Sequence, residues 1–155
     1  MQRYRGGCSC GSVRYELRDH PLWINACHCN ACKKRTGSAF GLSIVVDGSG
    51  PDEMIGAVRR FTRTGQSGKL VHYDFCPNCG TTVRWRVDIV PNKRIYAGGT
   101  LDEPQQLMVC GEIFLAEALP FARLGCELTI AGEPDAAFRD AVASKAISNA
   151  SVLPV

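Results

Sequence analysis

The chain has 155 residues, 45% of them hydrophobic and 21% charged, a balance that sets aside the disordered and fibrous classes and suits one globular domain. Its net charge of +3 is spread along the sequence, with Lys33, Lys34 and Arg35 as the longest basic run, so no nucleic acid partner is expected. The opening residues MQRYRGG are polar and carry no secretory pattern, and no apolar run approaches the ~18 residues of a membrane span, so the expectation is a soluble, cytoplasmic protein with no membrane partner.

Glycines surround the first two cysteines, and behind them Val13, Tyr15 and Leu17 alternate with Arg14, Glu16 and Arg18. A period of two marks a strand with one buried face. Apolar or β-branched runs at residues 22–26, 39–46 and 59–62 predict further strands. In LVHYDF, Val71, Tyr73 and Phe75 oppose His72 and Asp74; in TVRWRV, Val83, Trp85 and Val87 oppose Arg84 and Arg86. Residues 94–97 and 107–115 complete the strand set, and Gly, Pro, Asp and Asn clusters separate most of its members. Two helices are expected. A short one follows Cys32 and stops at Gly37, and a C-terminal one opens at Pro134 and Asp135 and repeats Phe138, Ala141, Val142 and Lys145 at helical spacing. The expected architecture is mainly β, a single β-sheet domain over residues 4–130 with short helices, followed by a C-terminal helix and tail over 131–155.

Nine cysteines in a chain without an export pattern point to metal rather than disulfides, because cellular reductants keep cytoplasmic thiols reduced. In an extended segment, Cys8 and Cys10 would present both sulfurs to one face. CPNCG, at residues 76–80, has the form of a zinc knuckle in which a tight turn aims Cys76 and Cys79 at one point. CHCNAC brings Cys27, Cys29 and Cys32 together within six residues. Seven clustered cysteines divide as four plus three. Cys8, Cys10, Cys76 and Cys79 would complete a structural zinc tetrahedron, and Cys27, Cys29 and Cys32 would hold a second zinc with one position open, for up to two Zn2+ per chain.

Cys110 and Cys126 lie outside the clusters and read as core residues, although either could supply an eighth ligand, as could His28. His72 shares a strand face with Cys76 and reads as a partly exposed strand histidine. Lys33, Lys34 and Arg35 follow Cys32 directly and can offset the negative charge of a thiolate-rich site, so they are the candidate contacts for a thiol substrate's anionic groups; the alternative is a solvated basic turn. Asp102 and Glu103 read as solvent-facing turn acids without a catalytic role. Phosphate-binding glycine loops, nucleophile elbows and HExxH helices are absent from the sequence.

The set GGCSCGSVRYE, CHCNACKKRTGSAF, FCPNCGT and AGGTLDEP resembles the family of glutathione-dependent formaldehyde-activating enzymes, which also includes centromere protein V. The resemblance spans roughly residues 4–115 and rests on three cysteine motifs in matching order and spacing. It implies a mainly β fold of the Mss4-like kind, a structural zinc on Cys8, Cys10, Cys76 and Cys79, and a second zinc on Cys27, Cys29 and Cys32 that receives a glutathione thiol for addition to formaldehyde. That reaction is a carbon–sulfur lyase activity of the S-(hydroxymethyl)glutathione synthase type. The sequence departs from the family pattern after GTLDEP, where Glu112 stands near the position of a histidine and Phe121 near that of a tryptophan. Two readings follow. One is an enzyme acting on a small-molecule thiol such as glutathione and a small carbonyl or electrophile. The other is a non-catalytic zinc-binding module with both metals structural, acting in partner recognition. The sequence leaves oligomer formation open.

Overall fold

The computed structural model describes residues 4–17, 21–50 and 54–150, with side chains up to residue 145. Arg18 and the tail beyond residue 150 therefore lie outside the described residues. In chain order the strands are β1 (Tyr4–Gly7), β2 (Arg14–Leu17), β3 (Trp23–Cys27), β4 (Gly41–Asp47), β5 (Met54–Ile55), β6 (Arg59–Thr64), β7 (Leu70–Phe75), β8 (Thr82–Val87), β9 (Lys93–Ala97), β10 (Gly111–Ile113) and β11 (Leu128–Thr129). The helices are α1 (Asn30–Thr36) and α2 (Ala136–Ala150). The fold is mainly β, as the sequence patterns indicate. The chain forms two compact units, one from Met1–His20 and Val45–Gln106, the other from Pro21–Ile44 and Leu107–Val155.

In the first unit, β1 and β2 pair antiparallel, from Tyr4 opposite Leu17 to Gly7 opposite Arg14, and β5 pairs with the other edge of β2. Strands β6 to β9 form an antiparallel meander in sequence order. Two connections in this unit matter for the chemistry: the β1–β2 turn carries Cys8 and Cys10, and the β7–β8 turn carries Cys76 and Cys79. The register shifts between Asp74 and Phe75, so a bulge re-aims the strand just before Cys76. Alternation in β7 and β8 breaks at Asp74 and Arg84, which are buried instead of facing solvent. Asp74 accepts from Arg60 Nε at 2.7 Å and from Arg84 Nη2 at 2.7 Å, so the buried charges are paired. Burial opposes ionisation of Asp74, but the two guanidinium groups outweigh it and hold the carboxylate below its ordinary range.

In the second unit, β10 lies between β3 and β11 and runs parallel to both, with Glu112 opposite Ala26 and Thr129. The run at 107–115 is thus shorter than its composition suggests. Only three residues are strand, Phe114 turns left-handed at φ 57°, and Leu115–Glu117 form a 3-10 turn. Helix α2 begins where the sequence indicates, with the Asp135 carboxylate accepting from Phe138 N at 2.8 Å. Its Phe138 and Val142 pack with Trp23, Cys110 and Leu128, which accounts for Cys110 as a core residue. Among the described residues no helix is long and apolar enough to cross a membrane.

Candidate metal centres

The first cysteine pair does not sit in an extended segment. It sits in a hairpin turn, where Cys8 N donates to Val13 O and Gly11 N donates to Cys8 O, both at 3.0 Å, and Gly11 adopts φ 78°. The second pair forms the knuckle expected from CPNCG. Cys76 N donates to Thr81 O and Gly80 N to Cys76 O, both at 2.9 Å, with Gly80 at φ 74°. Both glycines occupy a backbone region that side chains make costly, and each closes a turn that folds two sulfurs inward. All four sulfurs lie within 4.8 Å of one another, with Cys8 Sγ 3.5 Å and Cys76 Sγ 3.7 Å from Cys10 Sγ.

Those spacings are far too long for a disulfide, whose sulfurs lie about 2 Å apart. They match the edge of a tetrahedron with zinc–sulfur bonds of about 2.3 Å, which is about 3.8 Å. All nine cysteines are free thiols. The surroundings also fit thiolates: Val13 N donates to Cys8 Sγ at 3.2 Å, and Asn78 Nδ2 donates to Cys10 Sγ at 3.2 Å. Ser12, through its side chain and backbone, and then Asn78 hold the Cys10 thiol down at about 5. Thr81 does the same for Cys79, at about 7. Backbone N–H groups from Cys79 and Asn78 favour the Cys76 thiolate, yet burial and the adjacent Cys8 and Cys79 sulfurs push it up to about 11. A metal ion held by the four sulfurs would reverse that last effect, since a coordinated thiol is deprotonated outright.

The triplet is built from one short stretch. Cys27 ends β3, Cys29 caps α1 with its sulfur accepting from Cys32 N at 3.4 Å, and Cys32 lies within the helix. The helix begins at Asn30, earlier than expected, and ends as expected on Gly37 in the left-handed region. All three sulfurs lie within 4.8 Å of one another, and Cys27 Sγ is 3.5 Å from Cys29 Sγ. The residues are buried and pack with Phe114. Donating hydrogen bonds to Cys29 and Cys32, together with burial, raises the Cys27 thiol far above its ordinary range. For Cys32, donation from Cys27 favours the thiolate, but Cys29 and burial raise it, and Arg35 acts in the lowering direction. Cys27 and Cys32 so placed ionise readily only beside a cation.

No fourth His, Cys, Asp or Glu among the described residues joins the triplet. Cys110 is in the core beneath α2, and Cys126 Sγ faces Val109 O at 3.7 Å. His28 points elsewhere, with Nε2 2.9 Å from Glu112 Oε1 and its ring edge-on to Phe40 at 5.5 Å. Glu112 is only 1% exposed and also accepts from Leu124 N and Cys126 N, at 2.8 and 3.0 Å. Its burial opposes ionisation, but those two N–H groups and His28 outweigh it and hold the carboxyl below its ordinary range. Phe121 is 83% exposed.

The three basic residues part company. Lys33 Nζ donates to Glu117 O at 2.5 Å, Lys34 is exposed on α1, and Arg35 turns toward Cys32. His72 is not part of the four-cysteine cluster; it lies between Thr62 Oγ1 at 3.0 Å and Asp88 Oδ1 at 3.1 Å. Asp102 pairs with Arg14, Nη1 to Oδ1 at 2.9 Å, and Glu103 is exposed. Sequence reading did not anticipate Asn78 and Thr81 as sulfur partners, or Glu117, whose carboxylate accepts from Asn30 N at 2.6 Å at the start of α1. Asn78 lies within the knuckle and Thr81 directly follows it, so both could have been found from its spacing. Glu117 lies 87 residues from its partner, and no local pattern links them.

With both clusters in place, comparison with known proteins gives two findings. The family model described as glutathione-dependent formaldehyde-activating enzyme matches residues 3–117. A crystal structure of a Rhodobacter sphaeroides protein is similar at 19% identity, covering 63% of this chain and 87% of that one, with a TM-score of 0.48.

Proposed function

Because the chain belongs to the glutathione-dependent formaldehyde-activating enzyme family, we propose that it is a zinc-dependent carbon–sulfur lyase-like enzyme, which activates a thiol such as glutathione toward formaldehyde or another small electrophile. The observation that carries this reading is the triplet: three thiols converge and no fourth protein ligand among the described residues completes the set. Cys27, Cys29 and Cys32 would hold the metal, and Cys8, Cys10, Cys76 and Cys79 a structural one. A zinc ion in the triplet supplies Lewis acidity that keeps a thiol ligand deprotonated at neutral pH.

The chain's own residues do the rest. The N–H of Cys32 supports the Cys29 sulfur, Phe114 excludes water from one side of the cluster, and exposed Lys34 can meet a carboxylate of the thiol substrate. Overall the thiol loses its proton to solvent, its sulfur forms a bond to the carbonyl carbon, and the carbonyl oxygen takes up a proton. The product is an S-hydroxymethyl thiol. A reducing compartment such as the cytoplasm suits a site built on seven free cysteines.

The low exposure of Cys27, Cys29 and Cys32, at 5%, 5% and 7%, favours a second reading, in which both metals are structural and the module serves partner recognition. Exchange NMR with glutathione and formaldehyde separates the two. Zinc-loaded protein is expected to accelerate formation of the hydroxymethyl adduct over the spontaneous rate. Interconversion at the buffer rate, with both sites loaded, would leave the second reading.

A further inference from the structure

Where β4 leaves α1, Gly41 lies against two groups at once. A Cβ placed on Gly41 would sit 2.8 Å from Arg35 Nη2, 3.4 Å from Cys32 Cβ and 3.6 Å from Cys32 Sγ. The Arg35 guanidinium and the Cys32 sulfur thus converge over the one residue without a side chain. Nε and Nη2 of Arg35 are buried. Lys33 and Lys34 do not share this position, the first being held by the Glu117 carbonyl and the second exposed.

Position decides how strongly a charge acts. A cation in water is screened, whereas one with buried nitrogens interacts through a medium of lower effective dielectric and is several times stronger at equal distance. Arginine also stays protonated when buried, where lysine tends to neutralise. A divalent metal on three thiolates carries one net negative charge, and a fourth, anionic ligand would raise that to two. Without a fixed cation beside the cluster, such a site favours neutral ligands such as water or a thioether.

We propose that Arg35 is the specificity-determining residue of the triplet site, a counter-charge with two buried nitrogens that makes the open position prefer thiolates over neutral sulfur or oxygen ligands. This rests on the enzyme reading above and sharpens it: the ligand class is an ionised thiol, selected by the charge on its sulfur.

The test compares glutathione with S-methylglutathione, which has the same backbone but no ionisable thiol, by calorimetry on zinc-loaded protein. Wild-type protein is expected to bind glutathione and to bind the S-methyl analogue weakly. Arg35→Met should weaken glutathione by about tenfold, equivalent to about 1.4 kcal/mol, and leave the analogue unchanged. Arg35→Lys should recover part of the loss. Gly41→Ala keeps the arginine but pushes its flexible end away from Cys32, so it should shift glutathione affinity in the same direction and serves if Arg35→Met does not fold. Zinc content of each variant, measured alongside, shows whether the triplet remains loaded. Equal glutathione affinity in wild type, Arg35→Met and Gly41→Ala would overturn the role of Arg35 while leaving the enzyme reading intact. Failure of loaded wild-type protein to bind glutathione at all would overturn both.

Discussion

Replacing Cys76 with Ser is expected to lower the thermal midpoint of zinc-loaded protein by roughly 10 °C. The physical reason is chain closure. Cys10 and Cys76 are 66 residues apart, and a metal that joins them restricts the unfolded chain much as a disulfide does. Closing a loop of that length is worth about 4 kcal/mol, and for a chain of this size each kcal/mol moves the midpoint by about 2–4 °C. Cys76 is also fully buried, packed with Cys8, Val13 and Val83, so the local core loses a ligand and its support together. Scanning calorimetry checks this, with Cys110→Ser as the control, since Cys110 sits in a core without a metal cluster. A chelator added to wild-type protein should reproduce the Cys76→Ser loss. An unchanged midpoint in both would mean that the four sulfurs do not share a metal.

The second large effect is chemical rather than structural. Replacing Cys27, Cys29 or Cys32 with Ser is expected to abolish zinc-dependent thiol binding while the first unit keeps its unfolding transition. All three cysteines fall within six residues, so a metal held by them would close almost no chain and would restrict the unfolded state little. In wild-type protein, glutathione binding at neutral pH should release about one proton, because the bound thiol becomes a thiolate. Calorimetry in buffers of different ionisation enthalpy reads that proton directly. Thiol binding that survives in all three variants would move the binding site away from the triplet.

Much of this was legible in the residues because the informative patterns are short. Period-two alternation located β2, β7 and β8, and Asp135 followed by Phe138 and Val142 located α2. Cysteine spacing also grouped the seven clustered cysteines, since knuckles and triplets depend on neighbours within a few residues. What sequence could not show were interactions across distance. Asp74 looked like an exposed strand residue, and only its two arginines, 14 and 10 residues away, make its burial tolerable. Glu112 appeared as a departure from the family pattern; folding turns it into a buried bridge between His28 and the backbone of 124–126. The extended geometry expected for Cys8 and Cys10 failed because Gly11 permits a turn, and a hairpin can bring the two sulfurs together as well as a strand can. Arg35 was one of three equal basic residues until Gly41 placed it beside Cys32.

The division of seven cysteines into a closed set and an open one is tested most directly by zinc X-ray absorption on protein with known metal content. With two zinc ions per chain, one on four sulfurs and one on three, the expected average is about 3.5 sulfurs per zinc, rising to about 4 when glutathione is added. One zinc per chain in protein made with excess metal, or about four sulfurs per zinc before any thiol is present, would contradict it.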